Sequence, residues 1–348
     1  MAVYFCVLIV LGGIFTVRNS NLVQTKKNRD LLFVLAWVLI TLVAGLRYQV
    51  GTDYMQYSRN YLGYKSQTLM LLEQPALTIV ALLSSVIYDD YATWFFLMAA
   101  ISFIPVAYVI YTNSSALGIS TVFFLLLGCW HTSFNVVKQA AAVAVVLLGY
   151  RSLVDRRFWQ WCIVCLIGAM FHITAILMIP VYFLVGPKFS WTRVLLIIVT
   201  GYIISVSYES LFDTMKFLND SMSESTTSSY GSEQLNSLRV LVNCAPVILA
   251  TALIRFYDLQ DKQFCTLYNM SVLNAVLNVA TMNSAYLNRF ATYTLVFNVL
   301  FIPYLSKPFK KSSRIIVWIV LLLLYMAFWA YDLYKCSDTV NFQWIFSR

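Results

Sequence analysis

The segment Arg47-Tyr48-Gln49-Val50-Gly51-Thr52-Asp53-Tyr54-Met55-Gln56-Tyr57 sets a cation and a carboxylate six residues apart, around a glycine that permits a tight turn. Folded back on itself, it points Arg47 and Asp53 into one pocket. A guanidinium there suits a phosphate, and a carboxylate suits general-base activation of a hydroxyl. Tyr48, Tyr54 and Tyr57 offer flat faces and hydroxyls to sugar rings. The same residue types also suit an interfacial aromatic belt with a snorkelling arginine.

Three further segments carry chemistry-bearing side chains. Phe134-Asn135-Val136-Val137-Lys138-Gln139 opens a helix, where Lys138 and the helix dipole favour an anion or, alternatively, the lysine snorkels to headgroups. Phe171-His172-Ile173-Thr174-Ala175 places an ionisable ring at membrane depth, either as a proton acceptor with no clear polar partner or as a histidine bonded to a carbonyl. Ala285-Tyr286-Leu287-Asn288-Arg289 brings a cation to the start of an apolar run. His131 is a weaker candidate, Glu73 is a second carboxylate on the same face, and Glu209, Asp213 and Asp332 read as helix-end or interfacial charges. Several cations converging at membrane depth suit a pyrophosphate leaving group. No aspartate-rich or histidine-rich constellation suggests a metal. The pair Cys162 and Cys165 lacks partners at ligand spacing and reads as buried thiols.

The elements that must position these residues are membrane helices. Hydrophobic residues make up 60% of the 348, charged residues only 11%, and mean hydropathy is +0.74. Soluble domains carry roughly 25% charge, so a soluble enzyme, a secreted disulfide scaffold and a nucleic-acid module are excluded. Thirteen apolar runs alternate with short connectors, and the run at 2–17 reads as a first helix, not a removed signal. Five connectors are basic: 18–30, 151–157, 187–193, 255–262 and 306–314. They hold 15 of the 24 basic residues but only four acids, the pattern of cytoplasmic loops. An even number of crossings must then separate 18–30 from 151–157. The short run 75–88 is therefore re-entrant or packed beneath the outer face, or else 119–150 merges into one helix. The two limbs of 158–186 are too short to span comfortably and bury the turn at His172, implying an outward-facing depression. The expected architecture is an all-α polytopic membrane protein with about 12 transmembrane helices, some short or re-entrant. It forms one transmembrane domain over 1–348, with a first extracytoplasmic loop at 47–74 and a mobile polar loop at 211–237.

In this order, the motifs resemble the EpsG family of Wzy-like bacterial polysaccharide polymerases. The resemblance rests on ArgTyr-x-x-GlyThrAspTyr-x-x-Tyr at 47–57, PheAsn-x-x-Lys-Gln at 134–139, PheHis-x-x-Ala at 171–175, and Arg289-x-x-x-Tyr293 with Pro303. Lys138 stands where the family usually carries arginine, and a lysine cannot make the bidentate phosphate contact. The resemblance implies a multi-pass glycosyltransferase of the bacterial plasma membrane with a non-cytoplasmic site. It joins repeat units carried on undecaprenyl pyrophosphate and needs no cofactor. Asp53 would be the base, with His172 as the alternative. Arg47, Lys138 and Arg289 would bind pyrophosphate, Tyr54 and Tyr57 would contact sugar, and Glu73 would line the site. Implied partners are the lipid-linked oligosaccharide, membrane lipids, and a flippase and chain-length regulator of the same pathway, with no nucleic acid. Rival readings are a flippase for the same lipids, a membrane acyltransferase using His172, and a lipid-linked glycan ligase.

Overall fold

In a computed structural model the protein is described over residues 1–66, 74–207, 210, 235–335 and 341–348. The chain is almost wholly helical. In order it forms α1 (Ala2–Asn19), α2 (Lys26–Gly45), β1 (Arg47–Tyr48), α3 (Tyr54–Ser66), α4 (Pro75–Ile87), α5 (Tyr91–Asn113), α6 (Leu117–Leu126), α7 (Cys129–Thr132), α8 (Val137–Leu148) and α9 (Tyr150–Val154). It continues with α10 (Phe158–Ala169), a 3-10 turn (Ile173–Met178), α11 (Val181–Leu184), α12 (Trp191–Val206), α13 (Ser237–Ala252), α14 (Lys262–Ala280), α15 (Ala285–Asn288), α16 (Ala291–Phe301), α17 (Lys311–Lys335) and β2 (Gln343–Trp344). Among the described residues, four helices (α1, α2, α5 and α17) are long and apolar enough to cross a membrane alone. The others are shorter apolar pieces, so the expectation of an all-α membrane protein holds, whereas a count of about 12 full spans is not what these lengths display.

The chain divides into two compact units. The first comprises Met1–Tyr150, Trp159–Ile179 and Leu323–Arg348. Its centre is α2 against α5 and α5 against α8, with Trp94, Trp130, Trp161 and Trp329 fully buried. Buried indoles need an acceptor: Trp130 donates to the Ile40 carbonyl at 3.3 Å and Trp161 to that of Met178 at 2.8 Å. The stretch 119–150 does not merge into one helix. It breaks at Gly128 (φ +83°), passes through the single turn of α7, and restarts as α8. The run at 75–88 becomes α4, thirteen residues and so about 20 Å long, against a hydrocarbon core of about 30 Å. It packs on α3 and α5, and Ser84 donates to the Tyr61 hydroxyl at 3.0 Å.

The limb at 158–171 is α10, only twelve residues, and the chain after it is a 3-10 turn instead of a second long helix. Gly168 makes this possible: a Cβ there would stand 3.0 Å from Val146 and 3.3 Å from the Ala142 carbonyl, so α10 closes directly on α8. The second unit comprises Arg151–Phe158 and Pro180–Leu322. Its basic connectors collect at one end. Arg156 donates to the carbonyls of Tyr182 and Val185, both at 2.7 Å, while Lys307 meets Asp261, the N-cap of α14, at 3.5 Å. The expected polar loop at 211–237 lies outside the described residues except for 235–237, where Asn236 caps α13.

Asp332, expected as a helix-end or interfacial charge, lies in the last turn of α17 but is buried. It is 6% exposed, and its carboxylate meets Nε2 of the equally buried His131 at 3.3 Å, tying α17 to α7. Removing one member of a buried pair strands the other. Asp332→Ala should therefore destabilise the protein by about 3 kcal/mol or more, read as a fall in the melting temperature of detergent-solubilised protein, and Asp332→Asn, which retains an acceptor, by much less.

Candidate functional site

The two motifs richest in chemistry dock against each other within the first unit. After α2 the chain leaves the helix at Leu46, makes the two-residue strand β1, and takes left-handed conformations at Gln49 (φ +51°) and Gly51 (φ +103°). A Cβ on Gly51 would lie 2.7 Å from both the Phe134 carbonyl oxygen and Asn135 Oδ1. The glycine thus supplies both the backbone angle and the space for the 134–139 segment. Asn135 Oδ1 accepts from the Thr52 amide at 3.0 Å, and the turn leads into α3 with Tyr54 N donating to Gly51 O.

Arg47 holds this junction from beneath. It is 3% exposed and donates to three main-chain carbonyls: Ala44 at 2.5 Å, Val50 at 3.3 Å and Phe134 at 3.5 Å. Its guanidinium carbon sits 4.8 Å from the Phe134 ring centroid and 5.0 Å from that of Phe95. Burial pulls its pKa down to about 10, opposed by the field of Tyr54, so it stays protonated at neutral pH. A guanidinium facing carbonyls and aromatic faces is not turned toward a phosphate. Tyr54 is 1% exposed and stacks on Phe95 with centroids 4.3 Å apart, so neither face is open to a sugar. Tyr57 is 7% exposed and packs on Trp94 and Phe95. The arginine and tyrosines expected to contact ligand are buried because each has a partner that no local spacing reveals.

Asp53 and Lys138 are left nearer the surface. Asp53 is half-buried and its Oδ1 accepts from Thr52 Oγ1 at 3.2 Å. Lys138, also half-buried, places Nζ 5.9 Å from the centroid of the Tyr57 ring. The structure therefore brings Lys138 of one motif onto Tyr57 of the other. His172 follows α10, half-buried, and its Nδ1 lies 2.6 Å from Thr174 Oγ1, a partner that was not expected. Since Gly168 stands opposite Ala142, both His172 and Lys138 lie about one helical turn beyond that contact, at the same end of the α8–α10 pair. The Met170 carbonyl beside it accepts from Ala76 N, joining α4 to this turn. Glu73 lies outside the described residues. At the end of α3, Lys65 meets Asp89 at 2.6 Å. That hydrogen bond raises the lysine's pKa and lowers the carboxyl's, so both stay charged around neutrality.

Arg289 belongs to the second unit. It precedes α16, half-buried, with its guanidinium 5.6 Å from the Tyr286 ring centroid. The turn before it is anchored by amides. Asn288 Nδ2 donates to Thr281 Oγ1 at 3.0 Å and to Asn278 Oδ1 at 3.3 Å, and Asn278 Oδ1 also accepts from Asn243. One turn deeper, Asn274 Nδ2 donates to the Ala291 carbonyl and Thr294, and Asn298 donates to Asn274. Apolar-run reading overlooked these asparagines; their repeated i, i+4 spacing at 274 and 278 was the available signal. Among the described residues, no group of three or more His, Cys, Asp or Glu side chains is placed to hold a metal, and Cys162 and Cys165 are free thiols in α10.

The junction makes a direct prediction. Gly51→Ala forces a β-carbon against the Phe134 carbonyl and the Asn135 side chain at an unfavourable φ, so it should cost about 1–2 kcal/mol from conformation alone and more from the clash. Arg47→Lys, which cannot reach three carbonyls, should also lower the melting temperature. A sequence model described as the EpsG family matches residues 30–345. No curated protein matches the chain. No solved structure matches it either.

Proposed function

The chain belongs to the EpsG family, and on that premise we propose that it polymerises lipid-linked oligosaccharide repeat units at the outer face of the bacterial plasma membrane. The observation carrying this reading is the docking of the 47–57 turn on the 134–139 segment, which sets Asp53 and Lys138 near the surface above a rigid aromatic base. Basic connectors collected at one end of the second unit support assigning that end to the cytoplasm. In the first unit the 18–30 connector lies at the far end of α2 from Arg47, which supports an outward-facing site.

The reaction needs a leaving group, a nucleophile and a base. The growing glycan departs from undecaprenyl pyrophosphate as a hydroxyl of the incoming unit attacks the anomeric carbon. The bond from that carbon to the pyrophosphate oxygen breaks, and a new glycosidic bond forms. Asp53 takes the hydroxyl proton, with His172, oriented by Thr174, as the alternative acceptor. Lys138 contributes positive charge to the pyrophosphate as negative charge develops on it. Arg289, in the second unit, keeps its assignment as a phosphate ligand on residue type. Arg47 and Tyr54 act as positioning residues, because their polar and flat surfaces are spent on the fold. Fixed basic side chains stand in for a divalent cation.

Membranes carrying Asp53→Asn should hold single lipid-linked repeat units and no polymer, at normal expression. His172→Gln should reduce polymer by a smaller factor if Asp53 is the base. Long polymer from Asp53→Asn with none from His172→Gln reverses the two roles; long polymer from both ends this assignment.

A further inference from the structure

Residues 341–348 lie across the outer edge of the first unit and make contacts that the chemistry above does not use. Strand β2 pairs antiparallel with β1, with Arg47 opposite Trp344 and Tyr48 opposite Gln343. Next to this ladder, Ile345 N donates to the Leu46 carbonyl at 2.8 Å. Phe342 packs edge-on against the buried Tyr4 at 5.9 Å. At the other end Arg348 donates to Asp90 Oδ2 at 2.7 Å, and its guanidinium covers the Tyr91 ring at 4.4 Å. Asp90 is already committed: its other oxygen caps α5 through the Ala92 amide at 2.8 Å.

We propose that residues 341–348 are a strap that positions the Arg47–Asp53 turn, with the Asp90–Arg348 ion pair as its latch. A two-residue ladder is marginal by itself, so it needs holding at both ends, and Phe342 and Arg348 do that. What it pins is the stretch immediately before two left-handed residues, Gln49 and Gly51, that decide where Asp53 lies. The strap acts through β1, so Arg348 and Asp90 are positioning residues. This role rests on the polymerase reading for its consequence but not for its geometry.

The test uses the full-length chain in native membranes. Directly opposed strand residues have Cα atoms about 4.5–5.5 Å apart, inside the range a disulfide spans, so the double variant Tyr48→Cys, Gln343→Cys should cross-link under mild oxidant, with each single variant as control. Adding Arg348→Ala or Asp90→Asn should slow cross-linking about two- to fivefold, the two together no more than either alone, with Arg348→Lys near the parent rate. Ile345→Pro, which removes the donor to Leu46, should slow it about tenfold. In a polymerisation assay, Arg348→Ala should lower turnover with little change in the half-saturating concentration of repeat unit. No cross-link, or a rate indifferent to Arg348→Ala, overturns the strap. A raised half-saturating concentration at unchanged turnover overturns the positioning role by placing Arg348 on the substrate. A double-cysteine variant that cross-links as expected, beside a wild-type protein that makes no polymer from lipid-linked repeat units, supports the strap and sinks the polymerase reading alone.

Discussion

A guanidinium withdrawn from water at the end of a membrane-spanning helix is the interaction on which the Arg47 end of the first unit depends. An isolated buried charge of this kind is costly, and the cost is offset only if its donors are satisfied. Arg47 meets that condition with backbone oxygens from both ends of the junction, Ala44 at the end of α2 and Phe134 before α8, and with the aromatic faces of Phe95 and Phe134. Carbonyls can serve an arginine in this way because the last turn of a helix leaves them without partners. The arginine thus converts the unpaired end of α2 into the attachment point for a second motif eighty-seven residues away. Everything at that mouth, from the Gly51 turn to the start of α3, is built on this contact.

The second unit solves a related problem with neutral groups. Its buried polar atoms are amides and hydroxyls: Asn243, Asn274, Asn278 and Asn298 with Thr281 and Thr294. An amide carries both donors and acceptors, so neighbouring helices can satisfy one another without importing charge. The ladder runs to Asn288, next to Arg289. The cation therefore follows a turn fixed by hydrogen bonds. In both units the residue offered for chemistry is adjacent to a polar contact that is fully internal.

Much of this was legible in the sequence. The hydrophobic runs located the helices, four of the basic connectors lie in the second unit and share one end of it, and the motifs at 47–57 and 134–139 proved to be neighbours. Residue type could not say whether a polar group faces ligand or backbone. Arg47, Tyr54 and Asp332 are buried against Phe134, Phe95 and His131, which lie far along the chain, and tertiary contact decided where they point. The break at Gly128 was hidden because a left-handed glycine in an apolar run leaves the hydropathy unaltered. The pairing of β2 with β1 had no local signal, since two-residue strands have no period to detect.

These placements change how scarce charge should be read in such a chain. Fifteen of the 24 basic residues sit in the five connectors. Of the nine outside them, Arg47 is committed to carbonyls, Lys65 to Asp89 and Arg348 to Asp90. Each commitment fixes a local piece of the first unit: the junction, the end of α4 and the proposed strap. Lys138 and Arg289 differ in kind, for each is half-buried against a tyrosine ring at the start of a helix. There the helix N-terminus already favours an anion, and a cation at the same point adds to that field. A charge placed where the backbone field opposes its own sign is not there to stabilise the helix. Both positions present positive charge where the backbone already favours negative charge, which is why they, and not the fully internal Arg47, are where phosphate should be sought.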